Sequence, residues 1–170
     1  PARFDFDKLR SLNGHYIQHS GEESLIAKIE PGLAAAVGGD LGDAARGRVA
    51  GLLPELKKRA KDLNELVEAA KFLVIPRPLA LDPKAAKVLD ADARALLSRL
   101  TPKLAETKPW GGESVEAAVR SFAESEGRKL GEVAQPLRAA LTGRTVSPGI
   151  FEVLEVLGSD ESLGRLADLA

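Results

Sequence analysis

The chain has 170 residues, with 24 Lys+Arg against 25 Asp+Glu, a formal net charge of −1 and 44% hydrophobic residues. These proportions fit one folded domain or two small ones and exclude a chain disordered throughout. Aromatics are 4% and cysteines zero. The core must therefore come from Leu, Ala and Val, which favours helix over sheet, and disulfide frameworks, thiolate metal sites and cysteine nucleophiles are excluded.

In chain order, Ser20 with Glu23 has capping-box spacing ahead of Leu25, Ile26 and Ile29, and Pro31-Gly32 is expected to end that helix. Gly38-Gly39-Asp40-Leu41-Gly42 reads as a loop. Leu52, Leu53 and Leu56 form an apolar patch, with Pro54 starting or bending a helix. Asp62 and Glu65 repeat the capping pattern before Leu63, Leu66, Val67 and Ala70, which share one helical face. Ile75-Pro76-Arg77-Pro78 cannot continue that helix. It reads as a linker, and a domain boundary here gives domains 1–74 and 75–170.

Asp82-Pro83 is a helix start, a cap residue followed by Pro at the first helical position. Val88, Leu89, Leu96, Leu97 and Leu100 supply the apolar positions that follow, and Trp110-Gly111-Gly112 breaks the chain. Val115, Ala118, Val119 and Phe122 mark an amphipathic helix ended by Gly127. Pro136 is expected to open a short helix carrying Leu137, Ala140 and Leu141, closed by Thr142-Gly143. Phe151, Val153, Leu154 and Leu157 form the next, closed by Gly158, and Ser159 caps the last. No strand alternation or internal repeat is present. The expected fold is all-α, in two small helical bundles.

No apolar stretch is long enough to span a membrane, and no signal-peptide pattern opens the chain. It begins at Pro1 and contains no Met, which reads as a processed or excised piece of a longer protein. Absence of cysteine is compatible with a reducing cytosol, and a cytoplasmic location is expected.

Catalytic motifs are missing: there is no Walker A loop, GxGxxG, HExxH or GxSxG. His15 and His19 share a face only if their segment is helical, which Asn13-Gly14 argues against. They read as ordinary polar histidines, since a zinc site needs three or four ligands. Asp5 and Asp7 alternate with Phe4 and Phe6 and read as an N-terminal connector rather than a pair of catalytic carboxylates. Trp110 reads as packing rather than a base-stacking platform.

The neutral total hides local basic segments. Lys57, Lys58, Arg59 and Lys61 lie within one stretch of five. Arg128, Lys129, Arg138 and Arg144 stand against the single acid Glu132 between Gly127 and Pro148. Either segment is a solvated helix face or a phosphate-contacting surface. Between Thr142 and Ile150 a short helix gives way to a loop with Arg144, Thr145 and Ser147, turned by Pro148-Gly149. A rigid loop with an Arg, hydroxyls and an apolar tip suits an unstacked base, although ordinary helix-to-helix turns look similar.

The run from Lys129 through Leu130-Gly131-Glu132-Val133-Ala134-Gln135-Pro136-Leu137-Arg138-Ala139-Ala140-Leu141-Thr142-Gly143, continuing through Ser147-Pro148-Gly149-Ile150-Phe151-Glu152, closely resembles the C-terminal anticodon-binding region of bacterial glutamyl-tRNA synthetases, class I aminoacyl-tRNA synthetases. Lys8-Leu9 with Leu12-Asn13-Gly14-His15-Tyr16-Ile17 resembles the segment leading into the helical half of that enzyme. Lys61-Asp62-Leu63 through Phe72-Leu73 resembles the end of its first helical domain.

The resemblance implies that the two bundles form the anticodon-binding α-helix cage. The parent enzyme is a ligase that attaches glutamate to tRNA using ATP and Mg, through HIGH-like and KMSKS-like motifs in a catalytic half that this chain lacks. The chain alone is then not an enzyme and holds no cofactor. Its partners are tRNA(Glu), through the anticodon loop, and its own catalytic half, with no DNA and no membrane. Arg138 matches a family arginine near the anticodon. Ser147, Pro148 and Ile150 match the loop touching splayed bases, with Ser147 where some members have Thr. Arg59 matches the arginine that checks the third anticodon base, which leans toward a discriminating enzyme. Ser11 stands where many members have Trp. Lys57, Lys58, Lys61, Arg128, Lys129 and Arg144 would steer the tRNA backbone. Two structural roles stay open beside these, Arg138 pairing with a helix carboxylate and Pro148 only fixing a turn. The rival reading is a free-standing helical protein-interaction module derived from the same fold.

Overall fold

The computed structural model describes residues 5–169, which form nine α-helices and no strand. They are α1 (Phe6–His19), α2 (Glu22–Val37), α3 (Asp43–Leu56), α4 (Leu63–Ala70), α5 (Pro83–Val88), α6 (Ala91–Ala105), α7 (Gly112–Ser125), α8 (Leu130–Thr142) and α9 (Ile150–Ala167). A 3-10 turn, Lys71–Leu73, follows α4. The chain divides into two compact units, one ending at Ile75 and one beginning at Pro76. The all-α expectation holds. Of the alternating Phe and Asp residues near the start, Phe4 lies outside the described residues.

In the first unit α2 packs against α3 and α4. Leu25, Ile29 and Leu33 of α2 recur at helical spacing and are buried with Val49, Leu52, Leu53 and Leu66. Each such side chain contributes about 1.5–3 kcal/mol. Asp5 caps α1, accepting from the Lys8 amide at 3.1 Å. Asp62 caps α4, accepting from the Glu65 amide at 2.8 Å, as its spacing predicts.

Two local expectations are corrected here. Ser20 does not start α2; its hydroxyl donates to the Tyr16 carbonyl at 2.6 Å and closes α1, while Gly21 takes the N-cap of α2. Pro31-Gly32 does not end α2, which runs on to Val37. An interior proline costs about 3 kcal/mol. The burial of Ile29 and Leu33 on either side outweighs it, and Gly32 lies where α2 crosses Val67 of α4, with room for little beyond a hydrogen. The stop is Gly38, in the left-handed conformation at φ 73°.

In the second unit α6, α7, α8 and α9 pack on one another, with α5 against α8. Asp82 caps α5 through the Ala85 amide at 2.7 Å, with Pro83 at the first helical position, as expected. A further correction concerns Pro136, which lies inside α8 rather than opening it. The helix begins at Leu130, where the Glu132 carboxylate accepts from the Lys129 amide at 2.7 Å. Val133, Pro136 and Leu137 are buried together, so tertiary packing carries the helix through the proline. Gly143, at φ 73°, ends α8, and Gly158, at φ 78°, kinks α9.

Candidate nucleic-acid interface

In the first unit, Lys57, Lys58, Arg59 and Lys61 occupy the turn between α3 and α4, not a helix face. This turn faces α1 across a cleft of about 580 Å³, lined by Ser11, His15 and Gln18 on one side and by Lys58, Arg59 and Lys61 on the other. The Gln18 side-chain amide donates to the Lys58 carbonyl at 3.2 Å and ties α1 to the turn. Lys58, Arg59 and Lys61 are exposed, whereas Lys57 is half-buried and does not line the cleft. Lys58 pairs with Glu55 at 2.5 Å. Such an exposed pair is worth about 1 kcal/mol or less.

α1 is helical through Asn13-Gly14, so His15 and His19 do share a face. Their rings lie 4.1 Å apart, and His19 Nδ1 is 2.8 Å from the His15 carbonyl. Among the described residues no group of three or more His, Asp or Glu side chains is placed to hold a metal. Lys28 donates to the Tyr16 hydroxyl and sits 4.6 Å over its ring, which lowers the phenol below its ordinary value.

In the second unit, α8 and α9 are joined by the loop from Gly143 to Gly149. Arg138 lies on α8 beside it. Its Nε donates to Ser147 Oγ at 3.0 Å and its Nη1 to Gln135 Oε1 at 2.8 Å. The Ser147 hydroxyl donates onward to the Pro148 carbonyl at 2.7 Å. Arg144 is half-buried, and its amide donates to Thr142 Oγ1 at 3.2 Å. Sequence separation hid this cluster: Arg138 and Ser147 are nine residues apart and meet only because the loop folds back on α8.

Not every expected residue stands at the loop surface. Ile150 is 4% exposed and fills the core at the start of α9. The apolar side chain that the loop does present is Val146, 70% exposed. Val146 and Gln135 were missed from sequence. Val146 lay inside the loop, but its exposure cannot be read from one apolar letter between polar neighbours. Gln135 stands in the run that carries the resemblance and at a helical spacing of three from Arg138, but neither signal says that its side chain reaches the guanidinium. Arg128 pairs with Asp92 at 3.0 Å, and Lys129 is exposed. Trp110 donates from its indole nitrogen to the Leu154 carbonyl at 2.9 Å, a packing arrangement.

Comparison with known proteins bears on these surfaces. The family model of the anticodon binding domain matches residues 24–170. A glutamate–tRNA ligase of Bradyrhizobium sp. strain BTAi1 is 55% identical over 98% of the chain. A glutamate–tRNA ligase 2 of Chelativorans sp. strain BNC1 is 53% identical over 99% of it. The chain spans 36% and 37% of the length of these two relatives. Among solved structures, a glutamate–tRNA ligase of Elizabethkingia meningosepticum shares the fold with a TM-score of 0.79 at 24% identity, covering 99% of this chain and 32% of that one. A glutamate–tRNA synthetase of Elizabethkingia anophelis gives 0.76 at 25% identity, with the same coverage.

Proposed function

The chain belongs to the anticodon binding domain family, and on that premise we propose that it reads the anticodon loop of tRNA(Glu) for a glutamate–tRNA ligase. The observation that carries this reading is the Arg138–Ser147–Gln135 cluster beside the Gly143–Gly149 loop, whose Val146 is exposed. Arginine presents a planar fork of donors suited to a base edge or base face. The anticodon bases are single-stranded, so their edges are open to such a fork. Ser147 and Gln135 accept from the guanidinium and so orient it. Pro148 and Val146 offer apolar contact to a base face, and Ile150 anchors the loop's end in the core.

The two units are two anticodon-binding domains with their boundary near residue 75. In the first, Arg59 reads the third anticodon base from the α1 cleft, which suits a ligase that discriminates between the glutamate and glutamine tRNAs. Lys57, Lys58 and Lys61 in the first unit, and Arg128, Lys129 and Arg144 in the second, hold phosphates. Their contribution is independent of sequence and sensitive to salt. Glutamylation itself, with ATP and Mg, belongs to a catalytic half elsewhere in the longer protein and takes place in the cytoplasm. No helix among the described residues is long and apolar enough to cross a membrane.

The test is fluorescence anisotropy of this chain with labelled glutamate tRNA, at low and moderate salt, and with the same tRNA changed at its third anticodon base. Salt-sensitive binding that drops with the base change supports the reading. Binding that ignores the base leaves a nonspecific RNA surface. No binding to either tRNA, with capture of a protein partner that persists at high salt, moves the weight to an interaction module.

A further inference from the structure

Arg165 is the one charged side chain among the described residues that is fully buried, at 1% exposure. Burying a guanidinium is costly unless its donors are met. Its Nε donates to Glu161 Oε1 at 2.8 Å, one turn earlier on α9, and its Nη1 donates to the Leu141 carbonyl at 2.6 Å. Leu141 lies in the last turn of α8, where carbonyls have no partner within the helix and a cation is favoured. It stands three residues after Arg138 and two before Gly143, where the loop starts.

The same point is gripped from the other side. The Asp82 amide donates to the Gly143 carbonyl at 2.9 Å, and a Cβ at Gly143 would fall 2.5 Å from the Ala80 carbonyl oxygen. The segment carrying Ala80 and Asp82 begins with Arg77, whose Nε lies 3.8 Å from Glu161 Oε2, the carboxylate that also holds Arg165. The contacts close a circuit: Arg165 to the end of α8, Gly143 to the 77–82 segment, Arg77 to Glu161, and Glu161 back to Arg165. The Thr142 hydroxyl, inside the circuit, donates to the Arg138 carbonyl at 2.8 Å and accepts from the Arg144 amide at 3.2 Å.

We infer that Arg165 is a positioning residue for RNA recognition: it fixes the last turn of α8 against α9 and so sets where Arg138, Ser147 and Pro148 stand. An apolar side chain could fill the same volume without the desolvation cost. It could not hold the Leu141 carbonyl or carry the circuit. This inference rests on the reading of the Gly143–Gly149 loop as an anticodon contact.

The test uses the full chain with Arg165→Met, and with Arg165→Lys as the milder variant should the first fail to fold. Two readouts separate the inference from its premise: amide hydrogen exchange without RNA, and binding to a cognate anticodon hairpin against the same hairpin with one anticodon base changed. The expected result is faster exchange across residues 143–149 with α6 and α7 unchanged. Discrimination between the hairpins falls roughly tenfold, the effect of losing one good base contact, and the salt slope stays constant. Arg165→Lys falls between wild type and Arg165→Met. Wild-type loop exchange and discrimination in the variants, while Arg138→Ala loses discrimination, overturn the inference alone. Equal weakening toward both hairpins also overturns it, since that marks a purely structural role. A wild-type chain that does not discriminate overturns the anticodon reading and this inference together.

Discussion

On the proposed reading, Arg138 and Arg59 serve one chemistry in two different local settings. Arg138 is held in place by Ser147 and Gln135, while Arg59 is exposed in a turn at the edge of the α1 cleft. Replacing either with Ala is expected to weaken cognate binding by roughly 5- to 150-fold, from the 1–3 kcal/mol of a good base contact. The discrimination it supports should be lost with it. Titration with cognate and base-changed tRNA checks both, and retained affinity with retained discrimination would sink the assignment. Lys58→Ala should instead weaken all sequences evenly and lower the slope of log K against log salt by about 0.7–1. A sequence-dependent effect of Lys58→Ala would contradict a phosphate role. The residue types of the cluster were legible in the sequence, because guanidinium, hydroxyl and proline chemistry is local. Their distances were not, because the loop's return to α8 depends on packing far from it.

Helices show where local rules are strong and where they yield. Asp62 and Asp82 cap as their spacing predicts, since capping involves only the residues of one turn. Pro31 and Pro136 mislead for the opposite reason: their cost is local, but the burial that overcomes it comes from α4 and from the neighbours of α8. Between α6 and α7, Arg99 donates to both carboxylate oxygens of Glu126, at 3.1 and 2.6 Å. That hydrogen bonding lowers the Glu126 carboxyl below its ordinary value. A lowered folded-state value means the stabilisation is present above the ordinary glutamate range and is lost as pH falls through the lowered value. Glu126→Gln should therefore flatten the acid side of a plot of melting temperature against pH. An unchanged acid limb would show that this pair contributes nothing.

Each of the two units has its own apolar core, built around Leu25, Ile29, Leu53 and Leu66 in the first and around Leu100, Val119, Leu137 and Leu154 in the second. A unit with its own core is able to fold alone. Residues 76–170 expressed alone are expected to give a helical circular-dichroism spectrum and a cooperative thermal transition. A featureless melt would show that the second unit depends on the first. If the segment does fold alone, the Arg138 cluster can be studied apart from the Arg59 cleft, and the share of RNA affinity held by each unit becomes measurable.

Composition and periodicity were enough to settle an all-α fold. A chain of Leu, Ala and Val spaced at three and four, with few aromatics and no alternation, has no other economical way to bury its apolar surface. The resemblance carried by the segment from Lys129 to Glu152 was equally a property of the residues in order. Tertiary structure alone decided which side chains reach the surface and which hold them there. Ile150 and Val146 differ little as letters, yet one fills the core and the other the loop tip. Arg165 gave no signal in the sequence, because a helical arginine near acids reads as a surface ion pair. Its burial against the Leu141 carbonyl arises only when α8 and α9 are packed together. Side-chain exposure is set by contacts between segments distant along the chain, and a single sequence does not state which segments will meet.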